Sequence, residues 1–163
     1  MIDIENELPE QDHTVKLATY LAQLTGTAVE FKFLAHGYHW NVKGLQFSQL
    51  HEFFGEIYED VDGSIDTYAE SLRRLGINAP YFLEDFSELS VLDEQQRIDG
   101  DAQQMLHSLY YVNMEFINLL RTAFDCSQAC DEQGIANFLA ERIDMHTKWE
   151  WQLRSSLSLD AGI

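Results

Sequence analysis

Basic side chains are scarce in this 163-residue chain: ten Lys and Arg stand against 28 Asp and Glu, a formal net charge of −18. Such a surface repels a phosphate backbone unless a local basic arm offsets it. None does, because Asp3, Glu5, Glu7, Glu10 and Asp12 all precede the first lysine or arginine, Lys16. Long apolar runs are missing too, and none approaches the roughly 18 to 20 residues a membrane span requires. The acidic start lacks the cationic and apolar regions of a signal peptide, so a soluble, cytoplasmic protein without a membrane partner is expected. Cysteine occurs only twice, at Cys126 and Cys130. That excludes a disulfide framework, and the CxxxC spacing is not the CxxC of a thioredoxin-type site; small apolar packing residues at a helix end are expected instead. What the chain does have, 45% apolar residues and 12% aromatics, is enough for one substantial core.

Four long segments carry helical periodicity, and no stretch sustains strand alternation. The first covers residues 14–38, with Leu17, Leu21, Leu24, Ala28, Phe31 and Ala35 on one stripe, and ends at Asn41-Val42-Lys43-Gly44. The second covers 48–75, from Leu50 through Phe54, Ile57, Val61, Ile65, Tyr68 and Leu72 to Leu75, and Gly76 supplies its stop. A connector over 76–92 is too long for a tight hairpin and is expected to cross the bundle, with room for a short helix. The third helix is expected over 93–125 with Ile98, Ala102, Met105, Leu109, Val112, Phe116, Leu119 and Ala123 inward, and with Gly100 as a possible break. The fourth is expected over 134–157. Stripes of this width bury only against other helices, which predicts an all-α, antiparallel four-helix bundle with one long crossover between helices 2 and 3. The expected division is an acidic lead-in over 1–13, the bundle over 14–157 and a short tail over 158–163.

A di-metal site inside one such bundle needs glutamates from two helices and an ExxH motif on each of the other two. The single ExxH here, Glu10 to His13, lies in the acidic lead-in, which argues against that arrangement. Another constellation survives. His39 closes the first helix, His51 opens the second, and Asp66 and Glu70 sit one turn apart further along the second. Imidazoles and carboxylates together suit a hard or borderline cation. His51 and Asp66 are fifteen positions apart on one helix, hence about 22 Å at 1.5 Å per residue. If the four share a site, a second subunit must supply half of it, with the long helices crossing about a two-fold axis. His51 facing a point between Asp66 and Glu70 would bring Gly55 near Gly63 and Ser64, so a close helix contact would account for the glycines.

The run His39-Trp40-Asn41-Val42-Lys43-Gly44, followed by Phe47, Leu50-His51, Asp66, Ala69-Glu70 and Leu75-Gly76, closely resembles the Dps family of mini-ferritins. The likeness continues through Ala136-Asn137, Arg142-Ile143, His146 and Trp151 to Arg154. The resemblance implies a ferritin-like fold assembled as a hollow homo-dodecamer that oxidises Fe(II) at ferroxidase sites, usually with hydrogen peroxide, and stores Fe(III) mineral inside, against oxidative damage. It implies that His39 and His51 of one subunit and Asp66 and Glu70 of its two-fold mate bind the iron, with Trp40 as an electron donor beside them.

Two positions depart from the family pattern. Gly55 stands where many members carry an acidic residue, so a second iron would be weakly held, or helped by His36, Glu59 or Asp62. Asn137 stands where relatives often place a pore aspartate, which leaves Asp131 and Glu132 as candidates on the route inward. Two other readings compete: an assembled shell that is catalytically weak or inhibited by Zn(II), and a DNA-condensing protector, against which the acidic composition argues.

Overall fold

The computed structural model describes residues 9–157, with side chains from residue 13, so the acidic residues 1–8 and the tail 158–163 lie outside the described residues. Five α-helices follow in order: α1 Pro9–Asn41, α2 Phe47–Arg74, α3 Leu83–Leu89, α4 Ala102–Ala129 and α5 Gln133–Ser156, with a 3-10 turn at Glu94–Gln96. No strand occurs among the described residues. Residues 9–13, expected in a separate lead-in, are the first turns of α1.

The stripes read from the sequence form the core. Leu17, Leu21, Leu24, Ala28, Phe31 and Ala35 are fully buried from α1, and they meet Phe54, Ile57, Val61 and Leu72 from α2 and Leu109, Val112, Phe116 and Ala123 from α4. Leu139, Trp149 and Leu153 complete it from α5, whereas Ile65 and Ile143 are only partly buried at its margin. Cys126 and Cys130 pack half-buried against the same core, as their spacing suggested.

Turn chemistry sets the helix ends. At the end of α2 the Gly76 N–H reaches the Arg73 carbonyl and the Ile77 N–H reaches that of Leu72. This is the Schellman arrangement, and Gly76 supplies its left-handed residue at φ +82°. The end of α4 repeats the pattern with Asp131 in that conformation at φ 58°. The third long helix begins at Ala102 and not near residue 93, which corrects the sequence expectation. Asp101 accepts from the Gln104 N–H at 3.0 Å, and Gln104 Oε1 accepts from the Asp101 N–H at 2.9 Å, a reciprocal cap that outweighs the apolar spacing upstream. Ile98 therefore lies outside the helix, and its carbonyl accepts the Tyr38 hydroxyl at 2.7 Å.

The crossover is strapped to α1. A Cβ at Gly26 would lie 2.6 Å from the Phe86 carbonyl and 2.9 Å from Leu89 Cβ, so only glycine lets α3 come this close. Beside it Thr27 accepts the Val91 N–H at 3.2 Å, and Glu30 takes both the Ser87 hydroxyl at 3.1 Å and the Arg97 guanidinium at 3.2 Å. No described helix is long and apolar enough to cross a membrane.

Candidate metal centre

The short link between α1 and α2 brings the last turn of one against the first turns of the other, and with them His39 and His51. Their rings stack with centroids 3.7 Å apart at 21°. His39 Nδ1 donates to the His51 main-chain carbonyl at 2.6 Å, and His51 Nδ1 donates to the His39 carbonyl at 2.7 Å. A carbonyl can only accept, so each Nδ1 carries a proton and Nε2 is the nitrogen of each ring left to ligate. Metal-binding histidines are commonly fixed through their second nitrogen in this way.

Aromatic rings pack around the pair. Phe47 stacks on His51 at 5.1 Å, and the Tyr58 ring meets the His39 ring edge-on at 5.3 Å. His36 lies flat against Tyr58 at 3.9 Å and 19°, and Trp40, 62% exposed, lies 4.1 Å from His36. Burial, then the charges of Lys32 and His39, hold the His36 imidazole below its ordinary pKa, and its buried Nδ1 has no protein hydrogen-bond partner. Burial, then the Glu59 carboxylate, lift the Tyr58 phenol above its ordinary value. The Tyr58 hydroxyl is 3.3 Å from Glu59 Oε1.

Gly55, one turn beyond His51, is buried within its own chain, where a Cβ would lie 3.2 Å from His39 Nδ1. The ring of His39 thus crowds the place where a Cβ would sit, a reason for glycine that requires no second helix. Ser64 is likewise turned into its own bundle, with its hydroxyl on the Val61 carbonyl at 2.7 Å, so it cannot supply the small outer contact expected for it. Gly63 has open space beside it.

Asp66 and Glu70 are both exposed on α2. Among the described residues no three histidine, cysteine, aspartate or glutamate side chains converge as a metal-binding group. One copy of the chain therefore presents two prepared nitrogens and, elsewhere, two unengaged acidic positions. Of the auxiliary candidates, Asp62 is paired with Lys32 at 3.3 Å, Glu59 takes the Tyr58 hydroxyl, and His36 sits in the ring stack. Sequence reasoning passed over Tyr58; its position seven residues after His51, on the same helical face, was the available signal.

A second polar group lies in the bundle interior. His146 is fully buried among Phe31, Phe116 and Trp149, with its Nδ1 2.7 Å from Asn113 Oδ1 and its carbonyl accepting Asn113 Nδ2 at 2.9 Å. Burial, with the charge of Arg142 adding, holds its pKa well below the usual histidine range.

The sequence family described as Ferritin, ferritin-like domain, matches residues 28–163. An uncharacterized low temperature-induced protein of Nostoc sp. is 35% identical over 119 residues, 72% of this chain and 66% of that protein, so the chain spans just under two thirds of that relative's length. The DNA protection during starvation protein of Brevibacillus brevis is 30% identical over 122 residues, 75% of this chain and 81% of the relative. The crystal structure of a Dps protein from Bacillus brevis superposes with a TM-score of 0.84 at 27% identity, covering 90% of this chain and 97% of that one.

Proposed function

The chain belongs to the Dps branch of the ferritin-like family, and from that premise we propose that it is a mini-ferritin ferroxidase. It oxidises Fe(II), with hydrogen peroxide as the oxidant, at sites shared between two copies, and stores the Fe(III) product inside a homo-dodecameric shell. His39 and His51 supply Nε2 nitrogens from one copy, and the partner subunit's Asp66 and Glu70 supply carboxylates. The reciprocal hydrogen bonds between His39 and His51 carry this reading, because they leave both Nε2 nitrogens to ligate and fix the rings before any ion arrives.

The donor set suits iron. Carboxylate oxygens stabilise the ferric product, and imidazole nitrogens hold the ferrous reactant. Removing two electrons from iron for each peroxide cleaves the O–O bond without releasing a hydroxyl radical. The same nitrogens bind Zn(II) well, so Zn(II) competes. The net charge of −18 per chain draws cations toward the surface, an attraction that salt weakens.

Anaerobic Fe(II) titration of the wild type beside His51→Ala and Glu70→Ala tests the reading. Both substitutions, remote from each other along α2, should abolish the same binding event. Retention of that event in either variant refutes the shared site. Gly55 favours a second reading, a shell whose sites work slowly for want of a carboxylate. Stopped-flow iron oxidation no faster than in buffer, with either peroxide or oxygen, would establish it.

A further inference from the structure

The two thiols of the chain lie at the other end of the bundle from the histidine pair. Cys126 and Cys130 are half-buried and share no disulfide, one turn apart where α4 ends. The Cys130 N–H reaches the Cys126 carbonyl at 3.1 Å, so the two keep the i,i+4 relation of a helix. Cys126 also meets the start of α1, with its thiol 3.3 Å from the His13 carbonyl. His13 and His39 are 26 positions apart on that helix, hence about 39 Å.

While this turn is intact its geometry excludes a disulfide and suits a bridge through an ion. Cβ atoms at i and i+4 stand about 5–6 Å apart, and a disulfide needs about 3.5–4.5 Å. Two metal–thiolate bonds of about 2.3 Å laid end to end span about 4.6 Å. Sulfurs rooted on those Cβ atoms reach that separation by turning toward each other, and the contact Cys126 gives up at His13 is a weak S–H bond. The donor count then selects the ion. Among the described residues no third His, Cys, Asp or Glu side chain converges with the pair to make a larger metal-binding group. Zn(II) takes three or four protein ligands and iron–sulfur clusters take four thiolates, so the pair completes neither. A soft monovalent ion that two thiolates satisfy is Cu(I).

We propose that Cys126 and Cys130 form a Cu(I) site, two thiolates holding one ion in line on the last turn of α4. Loading exchanges protons for metal, 2 Cys–SH + Cu(I) → [Cys–S–Cu–S–Cys]⁻ + 2 H⁺, with no change of oxidation state. The site is independent of the ferroxidase reading and needs no second copy, because both ligands come from one helix of one chain. Cu(I), like Fe(II), passes a single electron to peroxide. An ion closed between two sulfurs that pack against the core is kept from that reaction.

The test is anaerobic titration of the reduced full-length protein with Cu(I) in competition with the chromophoric chelator bicinchoninate, followed by X-ray absorption at the copper edge. The wild type should withdraw one Cu(I) per subunit from the chelator, and its spectrum should show two sulfur neighbours and no nitrogen. Cys126→Ala and Cys130→Ala, which replace each thiol by another small apolar group, should each lose that retention while keeping the wild-type circular dichroism and anaerobic Fe(II) binding. The wild-type spectrum decides the matter even where an alanine variant fails to fold. A wild type that cedes all its copper to the chelator, nitrogen in the copper shell, or retention that survives in a folded alanine variant overturns the site. None of these results touches the Fe(II) titrations on which the ferroxidase reading depends.

Discussion

His39 and His51 hold each other in place: each donates Nδ1–H to the other's main-chain carbonyl, across the junction of α1 and α2. The pair is a property of backbone placement, since the acceptors are peptide groups and not side chains that could turn away. Removing one ring therefore does more than delete one donor. It also takes away the ring stacked 3.7 Å from the other, while the surviving imidazole keeps its own hydrogen bond because its acceptor is main chain.

Gly55 provides a gain-of-function test. A Cβ there sits 3.2 Å from His39 Nδ1, close enough that the ring must yield by a few tenths of an ångström but not be expelled. Gly55→Asp should raise the number of Fe(II) ions bound anaerobically at each His39–His51 site. Gly55→Ala, which adds the crowding without the charge, should not. Equal stoichiometry for aspartate and alanine would show that a carboxylate at this position does not reach the iron.

Gly26 should tolerate nothing larger. A Cβ would press on the backbone carbonyl of Phe86 and on Leu89, and a carbonyl fixed in α3 cannot swing aside as a flexible side chain could. Gly26→Ala is expected to cost about 1–3 kcal/mol, typical of overpacking, despite alanine's better helix propensity. Calorimetry should show a lowered melting temperature, and limited proteolysis should cut first within residues 76–101. An unchanged melting temperature would mean that α3 docks less closely than its distances imply.

Much of this was legible in the sequence. The stripes on α1 and α2 follow from spacing alone because burial rewards one face of a helix wherever the chain runs. The same spacing misled at Ile98, where the Asp101–Gln104 cap decided the start of α4. His39, His51, Asp66 and Glu70 are named by residue type and by the resemblance to the family, and the separation of His51 from Asp66 along α2 requires a second copy if the four share a site. The stack of Trp40, His36 and Tyr58 could not, since it depends on the crossing of α1 over α2, and neither could the intrachain reason for Gly55.

Asp131 invites a stabilising change. It holds the left-handed position that closes α4, a conformation costing an ordinary L-residue about 1–2 kcal/mol and glycine very little. Asp131→Gly should raise the melting temperature by a few degrees. A fall would show that the carboxylate's contact with Gln133 Nε2, at 3.0 Å, matters more than the backbone strain.

His146 should govern stability in mild acid. Its folded pKa is depressed by burial, so the unfolded chain binds a proton that the folded chain refuses. Its contribution is complete above the unfolded value of about 6.5 and is lost as pH falls from there toward the depressed folded value. The slope approaches about 1.4 kcal/mol per pH unit per subunit while only the unfolded form is protonated. Replacing the ring by an amide of similar reach, His146→Gln, removes the titrating group while retaining the possibility of a bond to Asn113. Melting temperatures followed from pH 7 to pH 5 should therefore fall less steeply in His146→Gln than in the wild type. Parallel curves would assign the acid sensitivity to other groups, with the exposed carboxylates of α2 the first to test.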